Sequence, residues 1–214
     1  VYYVPGVGVD TTRYSYQGDS TRMQVRGDLG IGCDDMVVIC VAELNDNKNQ
    51  IQLLRAAAMI KEKLPAIRLL LVGEGSSRDP LELYARDHGL EHNVLFLGHR
   101  DDVPRLLTAS DIASLVSQRE GLPRSLMEAA AARLPLVCTN IRGNRDIVAH
   151  GLNGYLVPVG DYRATAENII ALAKDEQLRC DMGKASIDAV KRFSLDKVLP
   201  VMEDMYLDLL GYGC

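Results

Sequence analysis

Two glutamates with seven residues between them lie in the run Ser117-Gln118-Arg119-Glu120-Gly121-Leu122-Pro123-Arg124-Ser125-Leu126-Met127-Glu128, the stretch of this 214-residue chain with the most chemistry in it. Its Gly and Pro make a tight loop that opens into a helix. A helix N-terminus offers unpaired backbone N–H groups and a partial positive charge, a natural seat for phosphate. Glu120, on the loop, is suited to accept hydrogen bonds from sugar hydroxyls, and Glu128, on the outer turn of the helix, from ribose hydroxyls. Ser125-x-x-Glu128 reads equally well as a capping box, in which the two side chains satisfy orphan N–H groups of their own helix.

Four other short runs share the pattern of a strand end followed by a loop. Glu43-Leu44-Asn45-Asp46-Asn47-Lys48-Asn49 places Lys48 where a diphosphate could lie, and it also reads as a solvated loop ending in an Asn or Asp helix cap. Val72-Gly73-Glu74-Gly75-Ser76 is a strand with a glycine turn. It lacks the third glycine of a dinucleotide fingerprint and the Gly-Lys-Ser/Thr of a P-loop. In the run from Val94 to Asp102, His99 and Arg100 fall at a sheet edge, where an isolated His or Arg is more often plain surface. Gly143, within Asn140-Ile141-Arg142-Gly143-Asn144-Arg145-Asp146, sits at the start of an expected helix and can serve the turn alone.

The elements that must position these residues alternate. Apolar runs at 36–41, 68–72, 93–97, 112–116, 134–138 and 154–157 read as strands. Helical patterns occupy 49–63, 79–88, 102–109 and 125–133, and from Asp161 onward 162–174, 176–192 and 195–210. The early strands lack polar alternation, as strands buried on both faces do. The fold class is therefore α/β, a Rossmann-like doubly wound parallel sheet with C-terminal helices, and its ligands belong outside the carboxyl ends of the strands. Residues 1–30 read as a leading segment and 31–214 as one domain. The opening Val1-Tyr2-Tyr3-Val4-Pro5, without Met, reads as the middle of a strand, so sequence upstream is expected.

Composition removes several function classes. A formal net charge of −5 with 5% aromatics and no Trp argues against a nucleic-acid partner. Cys33, Cys40, Cys138, Cys180 and Cys214 are scattered, odd in number and without a C-x-x-C pair, which suits reduced thiols in a cytoplasmic protein. No apolar stretch approaches the ~20 residues of a membrane span. Neither an Asp-x-Asp site nor a His/Cys cluster is present, so no metal and no cofactor is expected.

In this order and spacing, the five runs resemble the C-terminal domain of retaining family-4 glycosyltransferases of the GT-B architecture. The resemblance extends from Pro5-Gly6-Val7-Gly8-Val9-Asp10, similar to the family's interdomain P-N-G-V-D, past the Asn153-Gly154 turn, and Glu120 to Glu128 matches its Glu-x7-Glu motif. It implies a site for a UDP- or GDP-sugar donor facing a separate N-terminal acceptor domain. By the same resemblance Lys48 binds the diphosphate and Glu120 holds the donor sugar. Gly121 and Leu122 present backbone amides to sugar and phosphate, and Glu128 binds the ribose. Arg100 stands where the base is recognised through main chain, and Gly73 lies in the donor loops.

Glu43 departs from the family, which has Arg there. The compensation expected is that Glu43 turns away and Arg124 assists Lys48. The hinge also lacks the family's Asn. The implied reaction is transfer of a hexosyl-type sugar with retention to a glycan or lipid-linked acceptor. It would serve polysaccharide or glycan synthesis in the cytoplasm, with room for peripheral association of the whole enzyme with the inner face of a membrane. This domain alone is expected to bind donor without catalysis. Two alternatives stand beside this: a nucleotide-sugar epimerase of the same architecture, and a non-catalytic nucleotide-binding α/β module.

Overall fold

A computed structural model describes residues 6–210. Residues 1–5, with the opening strand expected there and Pro5 of the hinge, lie outside the described residues, as does Cys214. The chain runs α1 (Asp19–Asp28), β1 (Met36–Val41), α2 (Gln50–Lys61), β2 (Ile67–Val72), α3 (Arg78–Asp87), β3 (Val94–Gly98), α4 (Val103–Ala109) and β4 (Ile112–Leu115). It continues with α5 (Arg124–Ala131), β5 (Leu136–Thr139), α6 (Arg142–Arg145), β6 (Gly154–Val157), α7 (Tyr162–Lys174), α8 (Glu176–Val190), a 3-10 turn (Lys191–Phe193) and α9 (Leu195–Leu209).

The six strands form one sheet in the order β3-β2-β1-β4-β5-β6, with every neighbouring pair parallel. All residues of β4 and β5, and all but the ends of β1, are buried. Only helices on both faces produce that, which is why these strands show no polar alternation. Burial thins at the two edge strands, β3 and β6. The expected α/β doubly wound sheet is the observed one.

Each expected strand and long helix is present within a few residues. The helix expected at 176–192 stops at Val190 and tightens into the 3-10 turn. One helix, α1, was not foreseen, because Asp19–Asp28 has no apolar stripe; Val25 and Arg26 are its buried residues.

Charge holds α1 in place instead. Arg26 is almost fully buried; its Nε donates to the Ala109 carbonyl and its Nη1 to those of Gly32, Cys33 and Asp35. Its Nη2 meets Asp111 Oδ2 at 2.8 Å, Arg22 meets Asp111 Oδ1 at 2.5 Å, and the Val37 amide donates to Oδ2 at 2.8 Å. Burial pulls the Arg26 guanidinium below its usual pKa, and Asp111 opposes that pull. Removing Arg26 takes the donor from four carbonyls and one of its two cations from Asp111. Arg26→Ala should therefore cost about 3 kcal/mol or more in urea unfolding; a loss under about 1 kcal/mol would show the network to be energetically neutral.

Cys33 and Cys180 are exposed, while Cys40 and Cys138 are buried in the sheet. Burial pushes the Cys40 thiol up to about 12 and that of Cys138 higher still. A thiol-specific reagent at pH 8 should label Cys33 and Cys180 in the native protein and reach Cys40 and Cys138 only on unfolding, as read by peptide mass spectrometry. Labelling of Cys40 at the rate of Cys33 would contradict this packing.

Candidate active site

After β3 the chain crosses back through α4 to lay β4 beside β1. The loops leaving β1 and β4 at their carboxyl ends therefore part in opposite directions and open a crevice, the usual ligand position in such sheets. Polar side chains stitch these two loops together. The Gln118 backbone N–H donates to the Asn47 carbonyl at 2.7 Å, and the side-chain Nδ2 of Asn47 to the carbonyl of Arg119 at 3.1 Å. Gln118 Nε2 reaches Asp46 O, and Asn49 Nδ2 reaches Val116 O. Asn49 takes a left-handed backbone conformation (φ 54°), which Asn tolerates better than most residues. Its side chain makes no cap on α2, so the cap expected of this loop is not formed.

This stitching brings Lys48 onto Glu120, 72 positions away in sequence. Lys48 Nζ lies 2.5 Å from Glu120 Oε1, and the Ser117 hydroxyl donates to the same oxygen at 2.7 Å. Both charged side chains are largely shielded from water, where an ion pair is worth more than at an open surface.

The capping-box reading of Ser125 and Glu128 does not hold. The N-cap of α5 is Pro123, with no side-chain cap bond, and Ser125 lies inside the first turn. Glu128 is buried on that helix, with Arg124 Nη2 3.6 Å from Oε1. The buried phenol of Tyr14, from the leading segment, stands against it and is raised in pKa by its own burial and by the Glu128 carboxylate. Sequence reasoning missed Tyr14, because nothing in its neighbourhood marks it as part of this site.

The remaining expected residues take distinct positions. Gly121 is exposed, and a Cβ built on it would meet nothing within 4 Å, while Leu122 beside it is half-buried. Arg124 is exposed, with its guanidinium directed at Glu128. Glu43 is exposed, and it is the Glu43 carbonyl that accepts from Gln50. Gly73 donates its amide to the Gly98 carbonyl; at φ 138°, a Cβ there would sit 2.1 Å from the Ala42 carbonyl, so only glycine lets β2 pass this close to the end of β1. Arg100 grips Asp102 with two 2.7 Å bonds, so its charge is spent within its own loop. His99 is a surface residue paired only with exposed Asp101. Among the described residues, no group of three or more His, Cys, Asp or Glu is placed to hold a metal ion, and no helix is long and apolar enough to cross a membrane.

Gly143 does more than serve a turn. A Cβ there would lie 2.2 Å from the Gly121 carbonyl and 2.8 Å from that of Glu120, so the start of α6 packs directly beneath the Glu120 loop. Behind the loop stand Thr139, whose hydroxyl donates to the Ser117 carbonyl, and Asn144, whose amide donates to Thr139. These two were not singled out from sequence. A short polar residue at the end of a buried strand was the available sign.

With this geometry in hand, the comparisons are specific. The sequence pattern of the family Glycosyl transferases group 1 matches residues 22–189. The N-acetyl-alpha-D-glucosaminyl L-malate synthase of Bacillus anthracis is 32% identical over 92% of this chain and 51% of that protein. A UDP-Gal:alpha-D-GlcNAc-diphosphoundecaprenol alpha-1,3-galactosyltransferase of Escherichia coli is 29% identical over 85% of this chain and 48% of that protein. Among solved structures, Anabaena Alr3699/HepE in complex with UDP-glucose superposes with a TM-score of 0.86 at 27% identity, covering 95% of this chain and 56% of that one. The chain thus spans about half the length of the relatives it matches.

Gly143 and Gly121 provide opposite controls on the site. Gly143→Ala should lower the thermal midpoint by several degrees, since its methyl group must displace backbone, at a cost of about 1–3 kcal/mol. Gly121→Ala should leave the midpoint unchanged, having open space around it. A destabilised Gly121→Ala beside an unaffected Gly143→Ala would refute this arrangement of the loop.

Proposed function

The chain belongs to the Glycosyl transferases group 1 family, and from that premise we propose that it is the donor-binding half of a glycosyltransferase that moves a hexosyl-type sugar from a nucleoside diphosphate to an acceptor with retention of configuration. The observation that carries this reading is the meeting of Lys48 and Glu120 at the mouth of the β1–β4 crevice, with Glu128 on the helix that leaves the same loop.

Each role follows from the chemistry of the group. Lys48 is a compact cation beside a loop and helix start, suited to the charge that develops on a departing diphosphate. Glu120 accepts hydroxyls of the donor sugar, and the Gly121 and Leu122 amides face sugar and phosphate. Glu128, buried yet drawn into no cap, accepts the two ribose hydroxyls. Arg124, already directed at Glu128, adds positive charge to the crevice and offsets the exposed Glu43. Arg100 borders the base through main chain, and Gly73 lies among the donor-binding loops. Catalysis from this half is then orientation and leaving-group stabilisation, with Glu120 as a donor-sugar ligand, and no metal is called on for it.

UDP is the favoured nucleotide, supported by the UDP-glucose complex of the structural relative. The acceptor, a glycan or a lipid-linked glycan, is held by a separate N-terminal domain. On this reading the whole enzyme serves polysaccharide or glycan synthesis in the cytoplasm, with room for peripheral association at the inner face of a membrane. A lipid-linked substrate in the name of the Escherichia coli relative supports this part of the reading.

Calorimetric titration of the chain with UDP, GDP and UDP-glucose tests the proposal. Saturable binding of UDP and UDP-glucose is expected, with no transfer or hydrolysis of the sugar by the chain alone. Glu128→Ala should weaken UDP at least tenfold or so, the worth of hydrogen bonds to a charged acceptor. A Glu128→Ala chain that binds UDP as tightly as the original would remove the ribose assignment, and no affinity for any nucleotide would remove the proposal.

A further inference from the structure

A carboxylate at the end of a loop side chain is a poor instrument for choosing among ligands unless something fixes its direction. Glu120 has two partners on Oε1, and they differ in kind. Lys48 reaches it through a flexible four-carbon stem, and its ammonium is the group a diphosphate would attract. Ser117 reaches it from a one-carbon stem on a residue with no exposure at all. Oε2 has no protein donor among the described residues.

Ser117 is itself anchored. Its carbonyl accepts from Thr139 Oγ1 at 2.6 Å, while Asn144 Nδ2 donates to the Thr139 carbonyl at 2.9 Å and to its hydroxyl at 3.1 Å. All three side chains are fully buried, on β5, α6 and the loop after β4. In a low-dielectric interior these bonds hold the Ser117 backbone in place, although Asn144 Oδ1 is buried without a partner, and the bond that the Ser117 hydroxyl then makes to Glu120 is charge-assisted.

We propose that Ser117, backed by Thr139 and Asn144, is a positioning residue that fixes the Glu120 carboxylate and thereby sets the preference of the site for a sugar-bearing nucleotide over the bare nucleoside diphosphate. The inference rests on the reading of Glu120 as the donor-sugar ligand. When phosphate draws Lys48 away, Ser117 retains Oε1 and leaves Oε2 facing the sugar. Without the hydroxyl, the carboxylate follows the ammonium, loses its direction toward the sugar and spends its charge on Lys48.

The readout is the ratio of the UDP dissociation constant to that of UDP-glucose, measured by calorimetry on the same chain, with thermal melts to confirm folding. Ser117→Ala removes one oxygen and adds no volume. It should reduce the ratio by about fivefold to tenfold, with UDP affinity held within about twofold. Thr139→Val, which deletes the supporting hydroxyl, should reduce the ratio in the same direction, and Thr139→Ser, which keeps it, should retain the original ratio. An unchanged ratio in both Ser117→Ala and Thr139→Val, with Glu120→Gln abolishing it, would overturn the positioning role. Equal weakening of UDP and UDP-glucose would also overturn it, leaving the network only structural. A ratio indifferent to Glu120→Gln would defeat the reading of Glu120 itself, and this inference with it.

Discussion

The placement of β1 beside β4 is the constraint from which the rest of this molecule follows. The two strands share few paired positions, Val38 with Ile112 and Ile39 with Ala113, whereas β1 and β2 pair along their whole length. So short a seam needs reinforcement, and it is closed at both ends by polar side chains. At the amino end Asp111 binds the Val37 amide, Arg22 and Arg26, drawing α1 onto the sheet. At the carboxyl end the Asn47, Asn49 and Gln118 contacts tie the two loops and deliver Lys48 to Glu120.

These two clusters face different demands. The Asp111 cluster is built from two arginines, whose fixed forks can each serve several carbonyls as well as a carboxylate. Its stability comes from complete satisfaction, since a buried charge without partners costs several kcal/mol. The Lys48–Glu120 pair is shielded to a similar degree but rests on a single flexible lysine stem, whose ammonium can turn to another anion. One end of the seam is suited to permanence and the other to exchange of partners.

Backbone proximity supplies the second layer of control. Gly73 brings the end of β2 against Ala42, and Gly143 brings α6 against the Glu120–Gly121 peptide. Both close a gap that a single methyl group would hold open, so the course of the loops after β1 and β4 depends on residues with no side chain of their own. Thr139 and Asn144 work beside Gly143 to set the same loop from behind. The site is accordingly a surface feature whose geometry is decided one layer below.

The amino-acid sequence by itself determined the alternating strands and helices, the buried character of the central strands, and the place of Lys48 and Glu120 in loops, and of Glu128 on the following helix, at the carboxyl ends of the strands. These are local properties, carried by hydrophobic period, turn residues and spacing, and they survive without knowledge of what lies opposite. Only the tertiary structure decided that Ser125 and Glu128 form no cap, that Arg100 is consumed by Asp102, and that Tyr14 stands against Glu128. It alone showed that Asp19–Asp28 is a helix, because that segment is held by ion pairs to Asp111 and not by an apolar stripe. The physical reason is common to all of these. Each depends on a partner tens of residues away, or on a choice between two partners of similar energy, and that choice is made by packing.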